Sequence, residues 1–437
     1  MTLERATTGP LRPSGTTASF GSRIRRARQQ GELVVQARMG MSDPAWMREG
    51  LLAVKRAHAT TVGTVTVDSF TRLGDLAAAR RAVAAGDELN GYPIATHSAG
   101  VTRAMLSGIV DAGFPVQVRH GSAAPREIFA GLIRAGLNAT EGGPVSYSLP
   151  YGRTPLRESV RNWRECCLLL AGMRSASAEP HLETFGGCML GQMCPPGLLV
   201  ALSILEGLFF RDHGLRDISL SYAQQGHRGD DEEAVRALRA LATELLPDVD
   251  WHIVVYTYMG VYPRTPEGCN LLLGAAADLA AATGAERLVV KTTAEAHRLP
   301  TIAESVAALE HAARRSPPTA TAPARQDTEI LTEARALIAT VLELAPDVGD
   351  ALALAFERGY LDVPYCLHPD NAGRSRSYLD EHGRVRWAET GAMPIRAGIP
   401  RQRRQVDSAG FLSSLTHLAR RFDELALDAG RRRVLNT

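Results

Sequence analysis

The chain has 437 residues, 45% of them hydrophobic, enough to bury a core of two or three domains or of one large barrel with extensions. Its formal net charge is +2, so neither nucleic acid nor an anionic membrane surface is an expected partner, and no run of 18 or more apolar residues offers a membrane span. The six cysteines, at 166, 167, 188, 194, 269 and 366, contain no C-x-x-C pair, which argues against a disulfide framework or a zinc site, and no metal ligands are assigned.

Residues 1–30 read as an arm, with a basic stretch at Arg23, Arg25, Arg26 and Arg28. The first 28 residues lack the apolar core of a secretory signal, so a cytoplasmic location is expected. From 31 to 312 short β-branched or apolar runs alternate with Ala/Leu/Arg-rich helical stretches. Nine runs are candidate strands: Leu33–Ala37, Val65–Phe70, Tyr92–Thr96, Pro115–Val118, Asn138–Glu141, Leu182–Phe185, Ile218–Tyr222, His252–Tyr256 and Leu288–Lys291. Roughly eight strand–helix repeats in this length predict an α/β fold, a TIM (β/α)8 barrel, with one candidate in excess. A doubly wound sheet is the alternative, but no G-x-G-x-x-G follows the first strand. Residues 313–326 read as a Pro/Ala-rich linker. Beyond it, 327–437 reads as an α-rich extension packing on the barrel: helical over Asp327–Arg358, irregular over Asp362–Pro394, and an amphipathic helix over Gly410–Arg433.

Several predicted strands end in a polar residue, and in a TIM barrel those ends line one mouth. They supply Arg38, Arg72, Arg119 with His120, Glu141, and Lys291 with Glu295 after it. Three guanidinium forks at one rim would repel each other without anions, and they match a dicarboxylate. Glu141 opens the segment EGGPVSYSLPY, which brings Tyr147 and Tyr151; a carboxylate beside the arginines suits the ammonium group of an amino dicarboxylate, while the plainer alternative is a Gly-Pro turn followed by two packing tyrosines. Only two of the 49 basic residues are lysines, Lys55 and Lys291. Lys291 therefore has three readings: a Schiff-base lysine, a hydrogen-bond donor to a cofactor, or a structural partner of Glu295.

The blocks RHGSAAPREIF, EGGPVSYSLPY and LVVKTTAEAHRLPT, with ISLSYAQQG and YMGVYP between them, resemble the large epsilon subunit of glutamate mutase, also called methylaspartate mutase, from about Leu33 to Pro394. The resemblance implies a TIM barrel that works with adenosylcobalamin and a separate small subunit carrying a D-x-H-x-x-G motif, two copies of each forming a heterotetramer. It implies interconversion of L-glutamate and threo-3-methyl-L-aspartate by a radical mechanism. Its substrate contacts fall on Arg38, Arg72, Arg119, His120, Glu141, Tyr147 and Tyr151, with Glu141 catalytic. Its cofactor contacts fall on Gly40, Asn90, Pro150, Tyr262, Lys291, Glu295 and Leu299. DEHGRV at 380–385 approaches the cobalamin motif, but Val385 stands where its glycine is needed. Where the family has HQWMG this chain has TYMG at Thr257–Gly260, which leaves the substrate open to an analogue of glutamate. The alternatives are a Schiff-base lyase or aldolase using Lys291, and a non-catalytic barrel protein.

Overall fold

The computed structural model describes residues 19–150, 152–175, 178–189, 193–315, 328–395 and 408–435. Eight parallel strands close into a barrel in chain order: β1 (Val34–Gln36), β2 (Thr61–Thr66), β3 (Val116–Arg119), β4 (Ala139–Gly142), β5 (His181–Thr184), β6 (Asp217–Ala223), β7 (Asp250–Tyr256) and β8 (Arg287–Val289). β8 returns to β1 with Gln36 beside Val289. Helices follow the strands and pack outside, so this is a TIM-barrel fold with a helical extension at its C-terminal end. No helix among the described residues is long and apolar enough to cross a membrane.

The excess candidate strand is Tyr92–Thr96. It makes one bridge, Tyr92 to Val67, and then turns, because Pro93 has no N–H to give a ladder. The second strand also differs from expectation: it ends at Thr66. The Asp68 carboxylate accepts from the Thr71 N–H at 2.9 Å and starts the short helix Ser69–Leu73, so Arg72 stands on a helix rather than at a strand end.

The barrel lumen is polar. In β3, β4, β5, β7 and β8 alternate positions bring Gln117, Arg119, Glu141, His181, Glu183, His252, Tyr256 and Arg287 inward, all buried. Halfway up, Arg287 pairs with Glu183 and donates to Gln36, and its Nη2 donates to Ser219 Oγ at 2.9 Å. Gln117 Nε2 donates to Glu183 Oε2 at 3.0 Å. The bottom is closed by helix Phe20–Gln29, which lies in the segment read as an arm. The Phe20 ring stacks on His181 at 4.8 Å with the Arg287 guanidinium 4.9 Å from its centroid. Gly21 donates its N–H to Asp217 Oδ2 at 3.1 Å, and a Cβ there would fall 2.0 Å from that carboxylate. His181, Asp217 and His252 bring ligand-type atoms within 4.8 Å of one another. The Arg287 Nε–H donating to His252 Nε2 already places a fixed cation at this cluster.

In the extension, the continuous helix expected over Asp327–Arg358 is two, Glu329–Leu342 and Val348–Arg358, the second started by the Asp347 carboxylate accepting from the Asp350 N–H. The stretch expected to be irregular contains an antiparallel hairpin, β9 (Ser375–Leu379) with β10 (Val385–Thr390). Its alternation is masked in sequence because the buried positions of β9 are the serines Ser375 and Ser377, so polar residues stand on both faces. DEHGRV forms its turn, where Asp380 Oδ1 accepts from the N–H groups of His382 and Arg384, each at 2.9 Å. The C-terminal helix Ser408–Leu435 packs on helix Pro266–Thr283, and Leu418 joins Tyr258, Tyr262, Cys269 and Leu272 in one apolar cluster beside the mouth. The linker lies outside the described residues from 316 onward.

Candidate functional site

At the C-terminal ends of the strands the buried side chains of Arg119 and Glu141 meet, Nη2 to Oε2 at 2.7 Å. Glu141 is held from two further sides. The Tyr147 hydroxyl donates to Oε1, and the Tyr256 hydroxyl lies 3.0 Å from Oε2. The Arg119 guanidinium also lies over the Tyr256 ring, 4.9 Å from its centroid. His120 is walled in by Trp163, stacked at 5.8 Å, and by Tyr147, edge-on at 5.2 Å. Its Nδ1 accepts from the Ser122 N–H at 3.1 Å, which puts the ring proton on Nε2. Burial, and then the neighbouring Arg119 charge, push the imidazole down to about 3, so it is neutral near pH 7.

Two donors at this place have no hydrogen-bond partner among the described residues: Arg119 Nη1 and His120 Nε2, both buried. Buried donors are rarely left so unless a ligand or water completes them. Arg72 is exposed but reaches the same place. Its stem runs over Gly121, where a Cβ would fall 3.2 Å from Arg72 Cδ; φ at +89° is what makes position 121 favour glycine.

A second group stands on the rim. Arg38 pairs with Glu295, Nη1 to Oε2 at 3.2 Å, and Glu295 Oε1 accepts from the Thr292 N–H at 2.9 Å. The Lys291 ammonium lies over the Tyr262 ring, 4.1 Å from its centroid. Burial lowers the Lys291 pKa, partly offset by Glu295 and reinforced by Arg38. The Tyr262 hydroxyl is buried without a partner among the described residues. The two groups share one end of the barrel: the Thr66 N–H donates to Met39 O at 2.8 Å, one residue after Arg38, and Thr66 sits in register with Arg119.

The arginine trio therefore does not stand bare. Arg119 and Arg38 each face a carboxylate of the protein, and it is Arg38, not Lys291, that pairs with Glu295. Of the remaining sequence candidates, Gly40 packs against the Thr66 carbonyl, where a Cβ would fall 2.2 Å from the oxygen. The Asn90 side chain is engaged with Ser69, accepting its N–H at 3.0 Å and donating to its Oγ at 2.6 Å. Pro150 is half-buried, Leu299 is 65% exposed, and Tyr151 lies outside the described residues.

Sequence reading missed Tyr256, Glu183 and Arg287 in the lumen, and it missed Glu206. The period-two spacing of His181 and Glu183 in HLET, and of His252 and Tyr256 about Val254, was the available signal for those strands; Arg287, the one polar residue of Arg287–Val289, carried none. Glu206 sits inside helix Pro196–Asp212, fully buried. It accepts from the N–H groups of Val145, Ser146, Phe185 and Gly186 at 2.8–3.3 Å and from Ser146 Oγ at 3.0 Å. It thus ties the loop carrying Tyr147 to the loop after β5. Burial pushes its carboxyl up to about 7, against the pull of those donors.

A closed parallel barrel with arginines, a lysine, carboxylates and a neutral histidine at the strand C-terminal ends defines a class: the β/α-barrel proteins with a polar ligand site at the mouth. The family model described as methylaspartate mutase E chain matches residues 15–409, and the chain belongs to that family. It is 29% identical over 399 residues to the glutamate mutase epsilon subunit of Escherichia coli O157:H7, covering 86% of this chain and 81% of that one. It is 30% identical over 344 residues to the glutamate mutase epsilon subunit of Halobacterium salinarum, covering 76% and 71%.

Proposed function

We propose that this chain is the large subunit of a carbon-skeleton mutase interconverting L-glutamate and threo-3-methyl-L-aspartate. The observation that carries the reading is the pair of buried, unpartnered donors, Arg119 Nη1 and His120 Nε2, set beside the carboxylate of Glu141. That arrangement suits a ligand with an anionic end and an ammonium group. In this reading Arg119 and His120 hold one substrate carboxylate, Arg72 and Arg38 hold the other, and Glu141 receives the ammonium. Tyr147 keeps Glu141 oriented, and Tyr151 completes the substrate contacts. Gripping both ends keeps a migrating fragment in place while the skeleton rearranges.

The radical chemistry such a rearrangement needs is supplied by adenosylcobalamin when bound. The rim fits such a group. The orphan Tyr262 hydroxyl, the Lys291 ammonium and the remaining lone pairs of Glu295 offer donors and acceptors for ribose hydroxyls; Gly40, Asn90, Pro150 and Leu299 are the further cofactor contacts that the family resemblance implies. The partner is a small subunit bearing the D-x-H-x-x-G motif, in a complex of two large and two small subunits. The barrel floor, sealed by Phe20, keeps water from entering below.

The test mixes the chain with such a small subunit, adenosylcobalamin and L-glutamate and measures methylaspartate. Turnover is expected; its absence in a complex that assembles and binds the cofactor would overturn the reading.

A further inference from the structure

We infer that Tyr256 is a further positioning residue of this site, one that sets its preference for a substrate carrying an ammonium group; the inference rests on the function proposed above. Tyr256 is the last residue of β7 and is buried. Its hydroxyl touches two carboxylates at once, Glu141 Oε2 at 3.0 Å and Glu183 Oε1. A phenol has one proton, so it donates to only one of them at a time.

The two carboxylates differ in what else they hold. Glu183 lies deep in the lumen and already receives Arg287, Ser219 Oγ at 3.2 Å and Gln117 Nε2 at 3.0 Å. Although burial opposes ionisation there, Arg287 and Arg119 hold its carboxyl well below the usual range. Glu141 receives Tyr147 on Oε1 and Arg119 on Oε2. Among the described residues, the Tyr256 hydroxyl is thus the one group in hydrogen-bond contact with both Glu183 of the buried Glu183–Arg287 pair and Glu141. The Tyr256 ring is fixed against Phe185, edge-on at 5.5 Å, and the Arg119 guanidinium lies over it. The hydroxyl therefore cannot move without disturbing Arg119.

With the mouth empty the hydroxyl donates to Glu141. Glu183 is already held by Arg287, Ser219 and Gln117, so the phenol keeps its proton on Glu141 when an ammonium N–H reaches a free lone pair of that carboxylate, and Glu141 keeps its place. Without the hydroxyl, Glu141 loses one of its two neutral donors and the fixed contact that keeps it off Glu183. Recognition of the ammonium weakens, while the grip on the carboxylates, made by arginines, stays.

The test is equilibrium binding of L-glutamate and of glutarate, its analogue without the amino group, to the full chain assembled with its small subunit. Tyr256→Phe is expected to weaken L-glutamate about tenfold and leave glutarate within about twofold, so that the preference for the amino acid falls. Equal weakening of both ligands, or no change in either, overturns the inference. Failure of the unaltered complex to bind L-glutamate overturns the functional reading itself. Should Tyr256→Phe not fold, 3-fluorotyrosine at position 256 keeps the hydroxyl and reports on it. Its fluorine resonance is expected to shift with L-glutamate and not with glutarate, and the same response to both overturns the inference.

Discussion

The guanidinium of Arg119 and the carboxylate of Glu141 form a buried pair at 2.7 Å, 22 residues apart in sequence and on neighbouring strands, at the C-terminal end of the barrel. Removing one member of such a pair leaves an uncompensated buried charge, a loss of roughly 3–5 kcal/mol. Arg119→Met is therefore expected to lower the midpoint of urea unfolding and, in the assembled enzyme, to reduce turnover by at least about 100-fold, since a desolvated carboxylate contact is lost with it. Turnover near that of the unaltered chain would contradict the assigned role.

Glu206 holds two mouth loops from behind through four backbone N–H groups. Glu206→Gln turns an amide nitrogen toward donors that need an acceptor. Leaving buried donors unpaired costs about 1–3 kcal/mol each, so a loss of roughly 3 kcal/mol is expected. Urea denaturation measures it, and amide exchange at Phe185 and Gly186 should quicken by more than at the barrel strands.

His120 is neutral in the folded chain down to about pH 3, through burial and the Arg119 charge. Its imidazole carbon resonance is expected to stay still between pH 8 and 5. The unfolded chain takes up a proton at this residue near its ordinary value of 6.5, and the folded chain does not. Between pH 6.5 and about 3 this histidine therefore removes ~1.4 kcal/mol of stability for each unit of acidification. His120→Asn should flatten the acid side of the stability curve by that slope; a resonance titrating near pH 6.5 would show the ring to be solvated instead.

Phe20 closes the barrel floor between His181 and Arg287. Phe20→Ala is expected to cost about 3–5 kcal/mol by the cavity it leaves. By contrast, Glu295→Gln loosens the pair with Arg38, a rim pair whose guanidinium is 38% exposed, while the amide oxygen can still accept from the Thr292 N–H, and its effect on unfolding should stay below about 1 kcal/mol. Calorimetric melting of the two variants side by side checks the contrast.

Much of the site was legible because the strand period and the fold class fix which residues stand just after a strand. Arg38, Arg119, Glu141 and Lys291 follow from that rule alone. Arg72 reached the mouth by another route, from a short helix begun by Asp68, because an N-cap four residues before it ended the extended backbone. The hairpin Ser375–Thr390 was hidden because half its positions are charged or polar on both faces.

The sequence by itself determined the alternation of strands and helices, hence the barrel, and the polar residues delivered to its mouth, because these depend on local periodicity and on order along the chain. The tertiary structure alone decided the partners: Glu141 with Arg119, Glu295 with Arg38, and Glu183 with Arg287 across 104 residues of chain. Those pairings are set by how eight strands tilt and shear as the barrel closes, and no stretch of sequence encodes that closure locally.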